Sequence, residues 1–241
     1  MESPLWQKIL DLLYPPRCPG CGQLLPGGTV LCEDCRAQLH PVGESPCLFC
    51  GRDQENCSCD FGAELRFERA VSPWYYNGTG KALLHRFKFY GDRAAYHQIL
   101  ERRFLKRVHQ AVKEIPIDMI VPVPNHKSDK GRFAQTDYLA NCLSKKLNIP
   151  VRKNLLIKNR KTPPQHKQSL LARKTNVKDA FSAIGNDLRG KNVLLVDDVA
   201  TTFSTLNECT AALLAAGADR VICATLLTTA AHFKTGGNHH E

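Results

Sequence analysis

Apolar residues between residue 66 and residue 230 fall into two alternating patterns. Segments such as "RAVSPWYY", "DMIVPVP", "NLLIK", "NVLLVDD" and "RVICATLL" are short, nearly continuous apolar runs. Such runs are what strands buried on both faces of a parallel sheet require. Between them, "GKALLHRFKFYG", "RAAYHQILERRFLKRVHQAV", "TDYLANCLSKKL" and "STLNECTAALLAAG" place apolar residues three and four apart, the spacing of a helix with one buried face. Strands alternating with helices of about 10 to 15 residues predict an α/β fold with a parallel sheet. Ahead of this region, Leu5, Trp6, Ile9, Leu12 and Leu13 share one face of an expected helix from Pro4 to Tyr14, which "PPR" ends. Residues 15 to 60 are rich in Pro and Gly turns and too poor in apolar residues for a core of their own. The pattern divides the chain into a small N-terminal module over 1–62, a sheet domain over 66–232 and a frayed tail over 233–241.

Cysteine placement changes the picture of the first part. Of 11 cysteines, only Cys142, Cys209 and Cys223 lie beyond residue 60. The others form pairs: Cys18 and Cys21 in "CPGC", Cys32 and Cys35 in "CEDC", Cys47 and Cys50 in "CLFC", Cys57 and Cys59 in "CSC". Turns of the C-x-x-C kind deliver two thiolates to one tetrahedral ion, so about two zinc ions of four thiolates each are expected, in preference to disulfides. Gly22 and Gly51, one residue past a pair, suit the left-handed turn of a zinc knuckle. Sites closed by four thiolates keep no open coordination position, which makes the metal structural, a staple for a segment too small to fold alone. Sequential pairing of the cysteine pairs is the expected arrangement, with a cross-braced one as the alternative.

Charge narrows the partners. Lys and Arg number 33 against 23 Asp and Glu, a formal charge of +10 that favours nucleic acid, phosphorylated metabolites or an anionic membrane surface. No stretch approaches the roughly 20 apolar residues of a membrane span, and "LWQKILDLLYPP" is interrupted by Lys8 and Asp11. With no signal-peptide pattern either, a cytoplasmic chain is expected, compatible with peripheral association at the inner membrane. Arg102, Arg103, Lys106 and Arg107 read as a solvated helix face. Lys127, Lys130 and Arg132 form a second basic group, and Lys158, Arg160, Lys161 and Lys167 a third.

The segment "NVLLVDDVATTFSTL" combines the sheet pattern with chemistry. Val193 to Val196 predict a strand, Asp197 and Asp198 stand at its carboxyl end, and Ala200, Thr201, Thr202, Phe203, Ser204 and Thr205 form a hydroxyl-rich turn that opens a helix. Ligands of open α/β sheets bind beyond the carboxyl ends of strands, and a helix N-terminus presents backbone N–H groups to an anion. Acids that accept from vicinal hydroxyls beside donors that hold a phosphate suit a sugar phosphate such as 5-phosphoribosyl 1-pyrophosphate, PRPP.

These residues resemble the PRPP-binding motif of type I phosphoribosyltransferases. Together with the cysteine module, "YYNGTGKALLHRFKFYGD", "VPVPNHKSDKGRFAQ" and "RKTPPQHKQSLLARKTNVKDAF", they are similar to the ComF/GntX family, which joins a double zinc ribbon to a phosphoribosyltransferase-like domain. The resemblance implies that Asp197 and Asp198 bind ribose and that Ala200 to Thr205 hold its phosphate. It places Lys88 before a glycine turn, and Pro124, Asn125, His126, Lys127 and Arg132 at the pyrophosphate loop. Arg160, Lys161, Thr162, Gln165, Arg173 and Asn176 match a loop that closes over the site. It further implies Mg²⁺ with the PRPP, handling of single-stranded DNA in natural transformation, and a competence helicase or other DNA-uptake proteins as partners. An active phosphoribosyltransferase with an unassigned acceptor is the alternative, and a zinc-ribbon adaptor on a non-catalytic scaffold the third reading. Phe203 stands where the motif carries a glycine, "KGRFAQ" replaces "RGFNQ", and Thr201 occupies the place of an aspartate base found in purine-specific relatives.

Overall fold

The apolar runs become a parallel sheet in the computed structural model, which describes residues 13–26, 28–57, 59, 65–90, 96–124, 135–159, 180–185 and 188–230. Its strands are β1 (Arg69–Val71), β2 (Trp74–Tyr75), β3 (Met119–Pro122), β6 (Asn192–Ala200) and β7 (Arg220–Thr228), in the order β1-β7-β6-β3, with β2 also pairing β7. Every one of these pairings is parallel. Central strands such as β3, with all four residues buried, show why the sequence there is a continuous apolar run rather than an alternation. Two short strands, β4 (Leu156–Lys158) and β5 (Phe181–Ala183), pair antiparallel in a separate ribbon.

Helices cover both faces. The described ones are α1 (Glu33–Ala37), α2 (Gly78–Tyr90), α3 (Arg102–Val112), α4 (Gln135–Leu147) and α5 (Ser204–Ala215). On one face Leu83 and Phe87 of α2, Phe104 and Val108 of α3 and Leu139 and Leu143 of α4 pack on Leu194 and Val196 of β6. On the other, Leu206, Cys209 and Leu213 of α5 pack on Val193 and Leu195. The odd and even residues of β6 thus serve different faces, as the pleat demands. Tyr96, Leu100, Phe104, Val108 and Val112 are buried at a strict spacing of four. That spacing overruns a 3.6-residue turn, and the wide π-helical turn at Tyr96–Glu101 takes up the excess at its start.

Among the described residues the cysteine module has no core of its own, as its composition leads one to expect. Cys18, Cys32 and Cys35 are buried together with residues of α2 and α3, whereas Cys47 and Cys50 are buried with Phe203 and Leu206 at the start of α5. Arg103 donates to the carbonyl of Val42 at 2.8 Å, Arg107 donates to the carbonyl of Gly43, and both pair with Glu44. The basic face of α3 therefore divides: Arg102 and Lys106 are exposed, while Arg103 and Arg107 hold the segment between the two cysteine clusters. Backbone carbonyls that the small module cannot satisfy itself find their donors there. The expected opening helix lies outside the described residues up to Leu12, as does the tail. Among the described residues no helix is long and apolar enough to cross a membrane.

Candidate functional site

Eight thiols gather into two groups. Cys18, Cys21, Cys32 and Cys35 form the first and Cys47, Cys50, Cys57 and Cys59 the second, with the sulfurs of each within 4.8 Å of one another. Pairing is thus sequential rather than cross-braced. Thiolates at about 2.3 Å from a tetrahedral zinc stand about 3.8 Å apart. The Sγ separations are 3.7 Å for Cys21 and Cys32, 3.8 Å for Cys47 and Cys59, and 3.7 Å for Cys50 and Cys57, so the donors fit structural zinc in both places. Gly22 at φ +81° and Gly51 at φ +69° adopt the left-handed turns that their positions after each pair require. A Cβ at Gly51 would stand 2.3 Å from the carbonyl oxygen of Ala70, because this knuckle lies directly on β1.

The acid pair lies within a strand rather than beyond it. β6 continues through Asp197 and Asp198 to Ala200, which pairs with Thr228. β3 stops earlier, its last residue Pro122 opposite Val196. Past Val196, among the described residues, the strand keeps β7 alone as a partner, beside the two carboxylates. Pleating sends the carboxylates to opposite faces. Asp198 faces α2, where Lys88 Nζ lies 3.7 Å from its Oδ2. Asp197 lines a small, shallow cleft with Val199, Ala200, Thr201, Thr202, Phe203, Ser204, Thr205 and Leu206. Its Oδ1 accepts from the backbone N–H of Asp198 at 2.8 Å. Burial pushes the Asp197 carboxyl well above the usual carboxylate range, and the neighbouring charge of Asp198 adds to the shift.

The turn itself is built for backbone donors. α5 begins at Ser204 with Phe203 as its N-cap, and the cap side chain makes no hydrogen bond to the helix, so the first N–H groups receive nothing from it. The hydroxyls of Thr202 and Ser204 bond to each other at 2.8 Å across the mouth of the helix. Phe203 has φ +59° and ψ +1°, a left-handed conformation that fits the glycine of the related motif and strains a bulky residue by about 1–2 kcal/mol. What holds it is its ring, which is 6% exposed and packs against Phe67 at 5.6 Å between centroids.

Three neighbours of this turn were not among the residues the sequence singled out. The guanidinium of Arg52 covers the Phe203 ring at 4.6 Å and donates to the carbonyl of Thr201 at 2.7 Å. Phe67 completes the aromatic contact. Tyr76 is half-buried near Asp198, and burial with that charge raises its phenol, keeping it a neutral donor. An arginine inside a cysteine knuckle looks like a solvated residue, and nothing local signals a contact 149 residues away. Of the remaining candidates, Pro124 follows the end of β3, while Asn125, His126, Lys127 and Arg132 lie outside the described residues. So do Arg160, Lys161, Gln165 and Arg173. The ends of that segment meet at the β4–β5 ribbon, where the N–H of Asn159 donates to the carbonyl of Ala180 at 2.8 Å.

Comparison with known proteins agrees with both modules. The double zinc ribbon domain matches residues 9–63, and the phosphoribosyl transferase domain matches residues 138–235. Competence protein F of Haemophilus influenzae is 32% identical over 219 residues, 85% of this chain and 93% of that protein. DNA utilization protein YhgH of Salmonella typhi is 31% identical over 218 residues, 87% of this chain and 90% of that protein. Among solved structures, orotate phosphoribosyltransferase from Aeropyrum pernix covers 66% of this chain and 70% of its own at 20% identity, with a TM-score of 0.39, too loose a likeness to bear on the site. With both modules present in the same order and that identity sustained along most of its length, the chain belongs to the ComF/GntX family.

Proposed function

We propose that the turn between β6 and α5 binds the ribose 5-phosphate end of PRPP, and that the protein uses this module in handling single-stranded DNA during natural transformation. One observation carries the first part: a helix start left uncapped by its N-cap side chain stands beside two carboxylates, past the point where β3 has ended. Backbone donors from Thr201 to Thr205 take the phosphate, and Asp197 and Asp198 accept from the ribose hydroxyls. The carboxylates also offer the hard oxygen donors that Mg²⁺ takes beside substrate phosphates, where it would screen the pyrophosphate charge. Lys88 adds a cation on the α2 side.

The names of the relatives, competence protein F and DNA utilization protein, support the second part, together with a formal charge of +10. Binding of single strands through backbone charge weakens steeply with salt. Anisotropy titrations at two salt concentrations are expected to favour single-stranded over duplex DNA, and equal, salt-independent binding of both would count against it.

Calorimetry with PRPP tests the site directly. Losing one charge-assisted hydrogen bond costs roughly 1.5–3 kcal/mol, about tenfold to a hundredfold in affinity. Changing Asp197 and Asp198 together to Asn is therefore expected to weaken PRPP far more than inorganic pyrophosphate, which has no ribose. A double variant that binds PRPP like the parent removes the acids from the site. Measuring pyrophosphate release from PRPP, with and without single-stranded DNA, separates a binding module from a transferase. No release is expected, because Thr201 stands in the place of the aspartate base of purine-specific relatives.

A further inference from the structure

The second cysteine cluster and the phosphate turn share one buried arginine. Arg52 follows Cys50 by two residues, and its carbonyl accepts from the N–H of Cys47 at 2.7 Å, so its backbone is part of the knuckle that presents both thiols. Its side chain is 3% exposed, and the thiolates of Cys50, Cys57 and Cys59 lie near enough to act on it electrostatically. Four thiolates around one Zn²⁺ carry two net negative charges, a counter-charge for a guanidinium withdrawn from water. Outward from the knuckle, Nη2 donates to the carbonyl of Thr201 at 2.7 Å, Nε to the hydroxyl of Thr228 at 3.3 Å, and the guanidinium plane covers Phe203.

Peptide geometry turns these contacts into a statement about the anion site. In a trans peptide the C=O and the following N–H point in opposite directions. Holding the Thr201 carbonyl toward Arg52 therefore aims the N–H of Thr202 the other way. The same carbonyl accepts from the Thr229 hydroxyl at 3.1 Å, and that of Ala200 accepts from the Thr228 hydroxyl at 3.2 Å and the Thr229 N–H at 3.0 Å. Every one of these bonds lies on one side of the turn. Phe203, in a left-handed conformation that its side chain disfavours, is held from the same side by the Arg52 face.

We infer that Arg52 is a positioning residue that transmits the geometry of the Cys47, Cys50, Cys57 and Cys59 cluster to the backbone donors of the phosphate turn, so that metal in this cluster preorganises the binding of a sugar 5-phosphate. Among the described residues the first cluster has no equivalent link to the turn, because Cys18, Cys32 and Cys35 are buried against α2 and α3 on the opposite face of the sheet. This inference rests on the β6–α5 turn being the PRPP site.

The test uses the full, zinc-loaded chain. Arg52→Ala is expected to retain both metal ions and to lose about tenfold in PRPP affinity, the scale of one charge-assisted hydrogen bond. Its affinity for inorganic pyrophosphate, which carries no 5-phosphate, stays at the parent value. In the absence of ligand, amide hydrogen exchange of Thr202 to Thr205 speeds up, and millimolar guanidinium slows it again and restores part of the PRPP affinity. Arg52→Lys, which keeps the charge but cannot hold a carbonyl, a hydroxyl and a ring with one planar fork, falls between the two and carries the same test if the alanine variant does not fold. Parent-like exchange and parent-like PRPP binding in a folded, zinc-loaded variant overturn the linkage. A parent chain that does not bind PRPP overturns the site assignment instead, and the exchange comparison still decides whether Arg52 orders the turn.

Discussion

Lys88 reaches from the last turn of α2 to Asp198, its Nζ 3.7 Å from Oδ2, and so brings a cation to β6 past the end of β3. A partly exposed ion pair of this kind contributes at most about 1 kcal/mol to stability. Lys88→Gln is accordingly expected to leave the melting temperature within about 4 °C of the parent, the shift such a loss produces in a chain of this size. PRPP affinity is expected to fall about tenfold and to become less sensitive to salt, since one cation fewer faces the phosphates. Calorimetry at two salt concentrations, beside a thermal melt, checks both. Equal losses of stability and affinity would reduce Lys88 to a structural part.

Asp197 sets stability against function. Because burial and the charge of Asp198 raise its carboxyl well above the ordinary carboxylate range, the folded chain holds this proton more tightly than the unfolded chain. From about pH 4 upward, until the raised value is passed, the folded state binds more protons, so this residue's contribution to stability declines as pH rises. Asp197→Asn removes the ionisation and keeps an oxygen for the N–H of Asp198. It is expected to stabilise the free protein at neutral pH and to flatten the pH dependence, while weakening PRPP at least tenfold. Denaturant melts at pH 5 and pH 8 measure the first effect. A destabilised variant with an unchanged pH slope would show that the carboxylate is well solvated.

Phe203 illustrates how magnitudes decide between two effects. Replacing it by glycine relieves about 1–2 kcal/mol of left-handed strain, but truncating a buried phenylalanine costs about 3–5 kcal/mol. The ring therefore wins: Phe203→Gly is expected to lose about 2 kcal/mol net, roughly 4–8 °C in melting temperature. PRPP affinity is expected to stay within about threefold, because the turn already has the backbone conformation that the glycine would favour. A variant as stable as the parent would mean that the contacts to Phe67 and Arg52 contribute nothing.

Elemental analysis of protein never exposed to chelator is expected to give about two zinc ions per chain. Since each cluster is buried in a core shared with the sheet domain, stripping the metal is expected to lower the melting temperature of the whole chain by about 10 °C or more rather than to release a separate module. A metal content near zero would leave the eight clustered thiols without their role.

The residues that the sequence determined by itself are those whose geometry is local. Cys47 and Cys50 fall in one thiol cluster because a two-residue turn brings them together, and Gly51 is left-handed in that turn. Val193 to Val196 must be a buried strand because no water-facing position interrupts the run, and the hydroxyl-rich turn after the two acids opens a helix. Tertiary structure decided what depends on where other strands stop and which surfaces meet. Sequential rather than crossed pairing of the cysteines follows from the ribbon lying against both faces of one domain. The separation of Asp197 from Asp198 onto opposite faces follows from β6 staying paired with β7 as far as Ala200, so that the pleat continues through both acids. Arg103 and Arg107 look like solvent-facing charges in their helix, and only the arrival of Val42 to Glu44 turns them into hydrogen-bond donors for the ribbon. Arg52 and Thr201 are the extreme case: a buried guanidinium needs acceptors, a strained turn needs a support, and the chain satisfies both by joining residues 149 positions apart.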